Sequence, residues 1–140
     1  MQGQQRFFWM GALAVLILIM AACTGANKLD LDGTSWQLQS MGSEMPLAGN
    51  PVTLIFDEGG NSAGGNASCN QYSGSFRAKG GKVTFGEIAS TMMYCMDEGV
   101  MEQETRYLQL LASAHTAHVE GDGLLLETGD GIVMRFARLR

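Results

Sequence analysis

A chain of 140 residues with nine Lys and Arg against fourteen Asp and Glu carries a formal charge of −5, which argues against nucleic acid and against electrostatic docking on anionic lipid. Nineteen glycines and only two prolines, the glycines paired between short apolar runs, describe many tight turns rather than a low-complexity tract. The length suits one domain and leaves no room for a second.

The first segment is not part of a fold. One cation, Arg6, precedes an unbroken apolar run from Phe7 to Ile19, and Met20-Ala21-Ala22-Cys23 closes it with small residues before a cysteine. This reads as a lipoprotein signal peptide over residues 1–22, with Cys23 as the lipidated residue. Phe7 to Ala22 falls short of the ~20 apolar residues that a spanning helix needs, and no basic stop-transfer cluster follows. Acyl chains contribute about 0.8 kcal/mol per buried methylene, so two or three of them on Cys23 hold a domain on a membrane. Thr24 rather than Asp after that cysteine resembles the signal for sorting to the outer membrane, which would put the domain on the periplasmic face. The membrane, through Cys23, is therefore the first expected partner. Without the leader the chain keeps eight Lys and Arg against fourteen Asp and Glu, a charge of −6.

Residues 23–30 are polar and irregular, a tether, and an ordered domain is expected over 31–140. Trp36 and Leu38 alternate with Gln37 and Gln39 in a first strand, and a loop from Gly42 to Pro51 follows. Val52 to Phe56 is a second strand, ending in the hairpin turn Asp57-Glu58-Gly59-Gly60-Asn61. Further strands are expected at Ala63 to Ala67, at Ser75 to Ala78 after a corner from Cys69 to Gly74, and at Lys82 to Phe85 after a Gly80-Gly81 turn. Asp97 reads as the N-cap of a helix ending by His115, in which Val100, Met101, Glu104, Tyr107, Leu108 and Leu111 recur near 3.6 residues. Two Asp-Gly turns, at Gly121-Asp122-Gly123 and Gly129-Asp130-Gly131, link strands at His118 to Glu120, Leu124 to Thr128 and Ile132 to Ala137. The sum is an α+β domain: a curled antiparallel sheet of about seven to nine strands, open and barrel-like, packed on one helix. Trp36, Leu54, Phe56, Phe85, Leu126 and Phe136 are its expected core.

With Cys23 assigned to lipid, Cys69 and Cys95 remain as an even pair in a domain exported to an oxidising compartment. A disulfide is the natural reading; free thiols and a metal pair are the alternatives.

Several blocks carry a resemblance: Gly33-Thr34-Ser35-Trp36-Gln37-Leu38, Leu54-Ile55-Phe56, Cys69-Asn70-Gln71-Tyr72-Ser73-Gly74, Ser90-Thr91-Met92-Met93-Tyr94-Cys95 and Glu102-Gln103-Glu104. Their order and spacing resemble the META/HslJ family of bacterial envelope proteins from about Leu31 to Phe136. The resemblance implies a compact domain of antiparallel strands on one helix, often exported or lipid-anchored, associated in some bacteria with heat shock and drug tolerance, and without an established enzymatic activity. It marks Trp36, Asn70, Gly74 and Thr91 as structural motif residues. One departure is the run Gly64-Gly65-Asn66-Ala67-Ser68, where the family often has a bulky residue, and it suggests a looser third strand with a more exposed edge.

Chemistry finds few candidates. Asn70 and Thr91 adjoin the cysteines, but Asn suits a corner where it bonds nearby backbone and Thr a strand that returns the bond. A cysteine nucleophile with His115 or His118 as base needs a free thiolate, which an oxidising compartment disfavours; the two histidines read instead as cations at a helix C-terminus. Met92, Met93, Cys95 and Met96 offer soft ligands of the kind that select Cu(I), whereas the plainer reading has the methionines filling gaps in the core around the helix. Asp57-Glu58 and Asp97-Glu98 read as solvated turn and cap charges. Neither catalysis nor a cofactor is expected. The expected role is a non-enzymatic binding or envelope-maintenance factor, with an envelope protein as possible partner. Trp36, Tyr72, Phe76 and Tyr94 would offer aromatic contacts on the open side of the sheet. A carrier of a lipid or small apolar ligand and a periplasmic Cu(I)-binding protein are the alternatives.

Overall fold

Alternation with period two builds the wall of this molecule, of which the computed structural model describes residues 29–140. The expected leader, Cys23 and the tether up to residue 28 lie outside the described residues. β1 (Ser35–Met41) buries Trp36, Leu38 and, after a register shift beside Gln39, Met41. β2 (Thr53–Phe56), β3 (Ser62–Asn66), β4 (Gln71–Lys79) and β5 (Lys82–Phe85) follow, each antiparallel to the one before. The two-residue β6 (Ala89–Ser90) pairs with β4, and α1 (Val100–Ala112) leads through Ser113 into β7 (Ala114–Glu120), β8 (Gly123–Thr128) and β9 (Val133–Arg138).

Strand β9 returns to pair with β1, Trp36 opposite Arg138 and Leu38 opposite Phe136. Eight strands thereby close into a ring in the order β1-β2-β3-β4-β5-β7-β8-β9, with β6 attached beside β4 outside it. The α+β, barrel-like sheet is the expected one, and closure leaves it without the open side on which aromatic contacts were expected. Trp36, Tyr72 and Phe76 all point into the core instead, and Tyr94 alone of the four is exposed. The thinnest seam is β5 to β7, one register pair, Lys82 opposite Thr116, supplemented by Ala117 N–H donating to the Gly81 carbonyl at 2.8 Å.

Strand direction defines two poles. Residues 29–34 enter over the β2–β3 turn, where Gly33 N–H donates to Asp57 O and Leu31 is buried, and the C-terminal residues leave at the same end, Leu139 N–H donating to Ser35 O. The opposite pole gathers the loop after β1, the corner at residues 67–70, the segment 91–99 and the two ends of the helix. The helix closes this pole by burying Val100, Gln103, Glu104, Tyr107, Leu110 and Leu111. Phe56, Phe76 and Phe85 pack with centroids 4.6 and 5.0 Å apart, and Tyr107 sits edge-on to Tyr72 at 5.6 Å, filling the space that a lipid carrier would leave open.

Four local expectations are corrected. The helix cap is Gly99 at φ 79°, not Asp97; Asp97 contributes only its carbonyl, which accepts from Val100 N–H, and glycine alone adopts that backbone without strain. His115 and His118 lie on β7, exposed, not at a helix end, because the chain turns into strand directly after Ser113; His118 Nε2 lies 3.2 Å from Glu120 Oε1. The corner after β3 is shorter than Cys69 to Gly74, since Gln71 to Gly74 already belong to β4. And β3 is no edge: it pairs on both sides, and its glycines are what allow that, a Cβ on Gly64 falling 2.6 Å from the Tyr72 carbonyl and one on Gly65 running into that of Thr53.

The two buried phenols make a pH prediction. Tyr107 and Tyr72 share a hydrogen bond of 2.6 Å between hydroxyls, and Tyr72 donates onward to Thr53 O at 2.9 Å. Burial raises both pKa values well above the ordinary 10. The unfolded chain therefore loses these protons first: the contribution of the two phenols to stability is constant below pH 10 and falls as pH rises above it, by ~1.4 kcal/mol per unit for each phenol. Urea midpoints measured from pH 8 to 11.5 should drop above pH 10, with about half the slope lost in Tyr107→Phe.

Candidate functional site

At the helix pole a short network of polar groups ties three segments together. The Glu104 side chain, only 6% exposed, accepts three hydrogen bonds: from Asn70 N–H at 2.7 Å and Cys69 N–H at 3.1 Å on Oε2, and from Asn70 Nδ2 at 2.7 Å on Oε1. Asn70, in turn, donates to Met93 O at 3.0 Å and accepts on Oδ1 from Thr91 Oγ1 and Met93 N–H, both at 2.7 Å. Thr91 Oγ1 accepts from Gln71 N–H at 3.2 Å. Every polar atom of the Asn70 side chain is thus satisfied, which is what a 2%-exposed amide requires. Cys69 and Cys95 are joined by a disulfide just beyond, with Cα atoms 5.9 Å apart.

Beside this network, Ser68 is held at φ 120°, a conformation that costs a non-glycine residue on the order of 1–3 kcal/mol. Its N–H donates to Asn66 Oδ1 and its hydroxyl accepts from Gln103 Nε2 at 3.0 Å, while Gln103 Oε1 accepts from Leu47 N–H at 2.7 Å. Gln103 and Glu104 therefore clamp the corner and the loop after β1 from one turn of helix. The sequence placed Glu104 in the 3.6-residue recurrence of the helix, and Gln103 beside it in a family block, but gave neither side chain a partner. The available signal was position: Glu104 falls with Val100, Tyr107 and Leu111 on the buried stripe.

The other motif residues have packing roles. Gly74 lets the link from β5 to β6 run close beside β4, since a Cβ there would stand 3.0 Å from Gly86 O and 3.1 Å from Glu87 O. Trp36 is fully buried, donates from Nε1 to Thr34 Oγ1 at 2.7 Å and carries the Arg138 guanidinium 4.4 Å above its ring.

What the clamp and disulfide hold is a surface. Met92 is 98% exposed, Met96 87%, Tyr94 76% and Met93 59%, four large apolar side chains within five residues. These methionines do not fill the core around the helix, as expected of them; the core is complete without them, and Met93 contributes only backbone groups to the Asn70 network. Met45 and Leu47 add exposed apolar surface at the same pole, where Leu47 would touch a Cβ on Gly99 at 3.3 Å. With Cys95 bonded to Cys69, its sulfur is no thiolate, and among the described residues no cluster of three His, Cys, Asp or Glu is placed to hold a metal. Asp97 and Glu98 stand exposed beside the loop; Asp57 accepts from Ser62 Oγ in the β2–β3 turn.

Fold and clamp together define a helix-capped antiparallel barrel that displays a latched apolar loop. The chain belongs to the META domain family, whose model matches residues 29–140. It is similar to the NMR structure of a protein from Burkholderia xenovorans, with 32% identity and a TM-score of 0.68 over 78% of this chain and 83% of that one. A second NMR structure matches at 21% identity and TM-score 0.63, covering 76% and 90% of the two chains. The crystal structure of a DUF4847 family protein from Bacteroides vulgatus matches at 11% identity and TM-score 0.60, covering 76% and 93%, a likeness of fold alone. No curated protein matches the sequence.

Proposed function

We propose that this chain is an outer-membrane lipoprotein whose META domain works in the periplasm by binding another envelope protein rather than by catalysis, as an envelope-maintenance factor. The observation that carries this reading is the exposed loop Met92–Met96, fastened by a disulfide and a buried Asn–Glu pair at the pole opposite the entering chain. An apolar patch held this firmly in water has the character of a contact surface, since monomers seldom maintain one without use. A domain tethered through Cys23 would hang from its entry pole and present the loop away from the membrane. The test is cell fractionation with intact mass of the purified protein. Cys23→Ser should remove it from the outer membrane and abolish a mass increment matching acyl chains; a wild-type chain already soluble and unacylated overturns the anchor.

A further inference from the structure

The loop is continuous with an unpaired sheet edge. β6 is the terminal strand of the sheet order, and only its β4 side is occupied. Thr91 N–H donates to Gln71 O at 3.0 Å, which makes Thr91 and Gln71 a hydrogen-bonded pair; antiparallel alternation then turns the N–H and C=O of Ser90, opposite Tyr72, away from β4. The Met93 N–H bond to Asn70 keeps the next inward-facing group satisfied too, so the outward row continues to Met92. Residues 89–94 are all exposed, and a groove of about 440 Å³ runs along the β4–β6 ladder.

Native sheets blunt such edges with lysine, proline or cover. Here the edge carries Met92 and Tyr94 instead, and the chain that forms it is acidic: between Lys82 and Arg106 stand five Asp and Glu, four of them besides the buried Glu104. From this geometry we infer that the β6 edge receives an extended segment of a partner protein as an added strand, one that alternates apolar residues with lysine or arginine. The backbone row selects an extended occupant, the apolar side chains select its alternate residues, and Glu87, Asp97 and Glu98 select its charge. A second copy of this chain would bring an equally acidic edge against the first. An anionic lipid surface is disfavoured by the same charge and by the entry of the tether at the other pole. This inference deepens the proposed function and rests on it.

The test uses fluorescence anisotropy of a labelled nine-residue peptide alternating lysine and valine, titrated with the full disulfide-bonded chain in zwitterionic detergent. Binding should weaken by about tenfold or more in Ser90→Pro, which removes an outward N–H and leaves the β4 ladder its own donors, and Ser90→Thr should bind as wild type. The same loss is expected for wild-type protein with a peptide N-methylated at alternate residues, a comparison that does not depend on how the variant folds. A glutamate–valine peptide should bind at least about tenfold more weakly. If Met92→Glu abolishes binding while Ser90→Pro and the N-methylated peptide bind normally, strand addition is overturned and the binding surface of the proposed function survives. If no peptide binds and the chain dimerises through Ser90, the occupant is a second copy and the inference fails. If neither peptide nor self-association is seen, strand addition at β6 falls, while the anchored reading stands or falls by the fractionation of Cys23→Ser.

Discussion

Glu104→Ala should lower stability by about 4 kcal/mol, a large share of what a domain of this size has. The substitution strands two backbone N–H groups, of Cys69 and Asn70, and one amide hydrogen of Asn70, in a place water does not reach. Each orphaned donor costs about 1–3 kcal/mol, and the lost side chain leaves a small void as well. Glu104→Gln separates charge from shape. Its single carbonyl oxygen can serve either the two backbone donors or Asn70 Nδ2, and its amide nitrogen then faces a donor. Asn70 cannot turn over to relieve this, because its oxygen already holds Thr91 and Met93. A loss of about 2 kcal/mol is expected for the amide. Urea denaturation followed by circular dichroism reads both, and an unchanged midpoint for the alanine variant would show that the corner is held by something else.

Reduction of Cys69–Cys95, or the double change to Ser, should remove about 3.5 kcal/mol in the chain-entropy account, from a closed loop with sequence separation 26. For a domain of this length that is a fall in melting temperature of roughly 10–15 °C. The ring of eight strands does not run through the bridge, so the far-ultraviolet spectrum should keep its β signature below the new transition. The segment from Thr91 to Met93 should also stay docked through Asn70 after reduction, leaving Tyr94 to Glu98 as the part set free. Equal melting with and without reductant would falsify the bridge as a structural element.

Hairpins and buried stripes were the legible parts of this fold. The Asp-Gly turns, the period-two runs around Trp36, Leu54 and Leu126, and the 3.6-residue recurrence from Val100 to Leu111 all carry their geometry within a few neighbouring residues. Three things were not local. Ala89–Ser90 is a strand only because β4 is long enough to pair with β3, β5 and β6 at once, and nothing in two small exposed residues says so. Ala114 begins β7 because Thr128 awaits it across the ladder, whereas His115 and His118, read alone, looked like the end of a helix. At the candidate site, Asn70, Thr91 and the cysteine pair stood out by residue type, but Glu104 resembled any acid near a helix start until its donors, 34 and 35 residues away, were seen. The methionines misled for a related reason: hydropathy places them inside, and only the completeness of the core without them puts them in water.

The pairing of β1 with β9 governs the order in which this molecule can come into being. Every other ladder of the ring joins strands adjacent in the chain or separated only by β6 and the helix; this one joins residues 36–41 to 134–138. A nascent polypeptide lacking those last residues has a growing meander with two raw margins, one at β1 and one at β8. Closure joins contacts of long sequence separation, the kind that slows folding. Until it occurs the exposed margins are open to chaperones, to proteases and to other copies of the same unfinished chain.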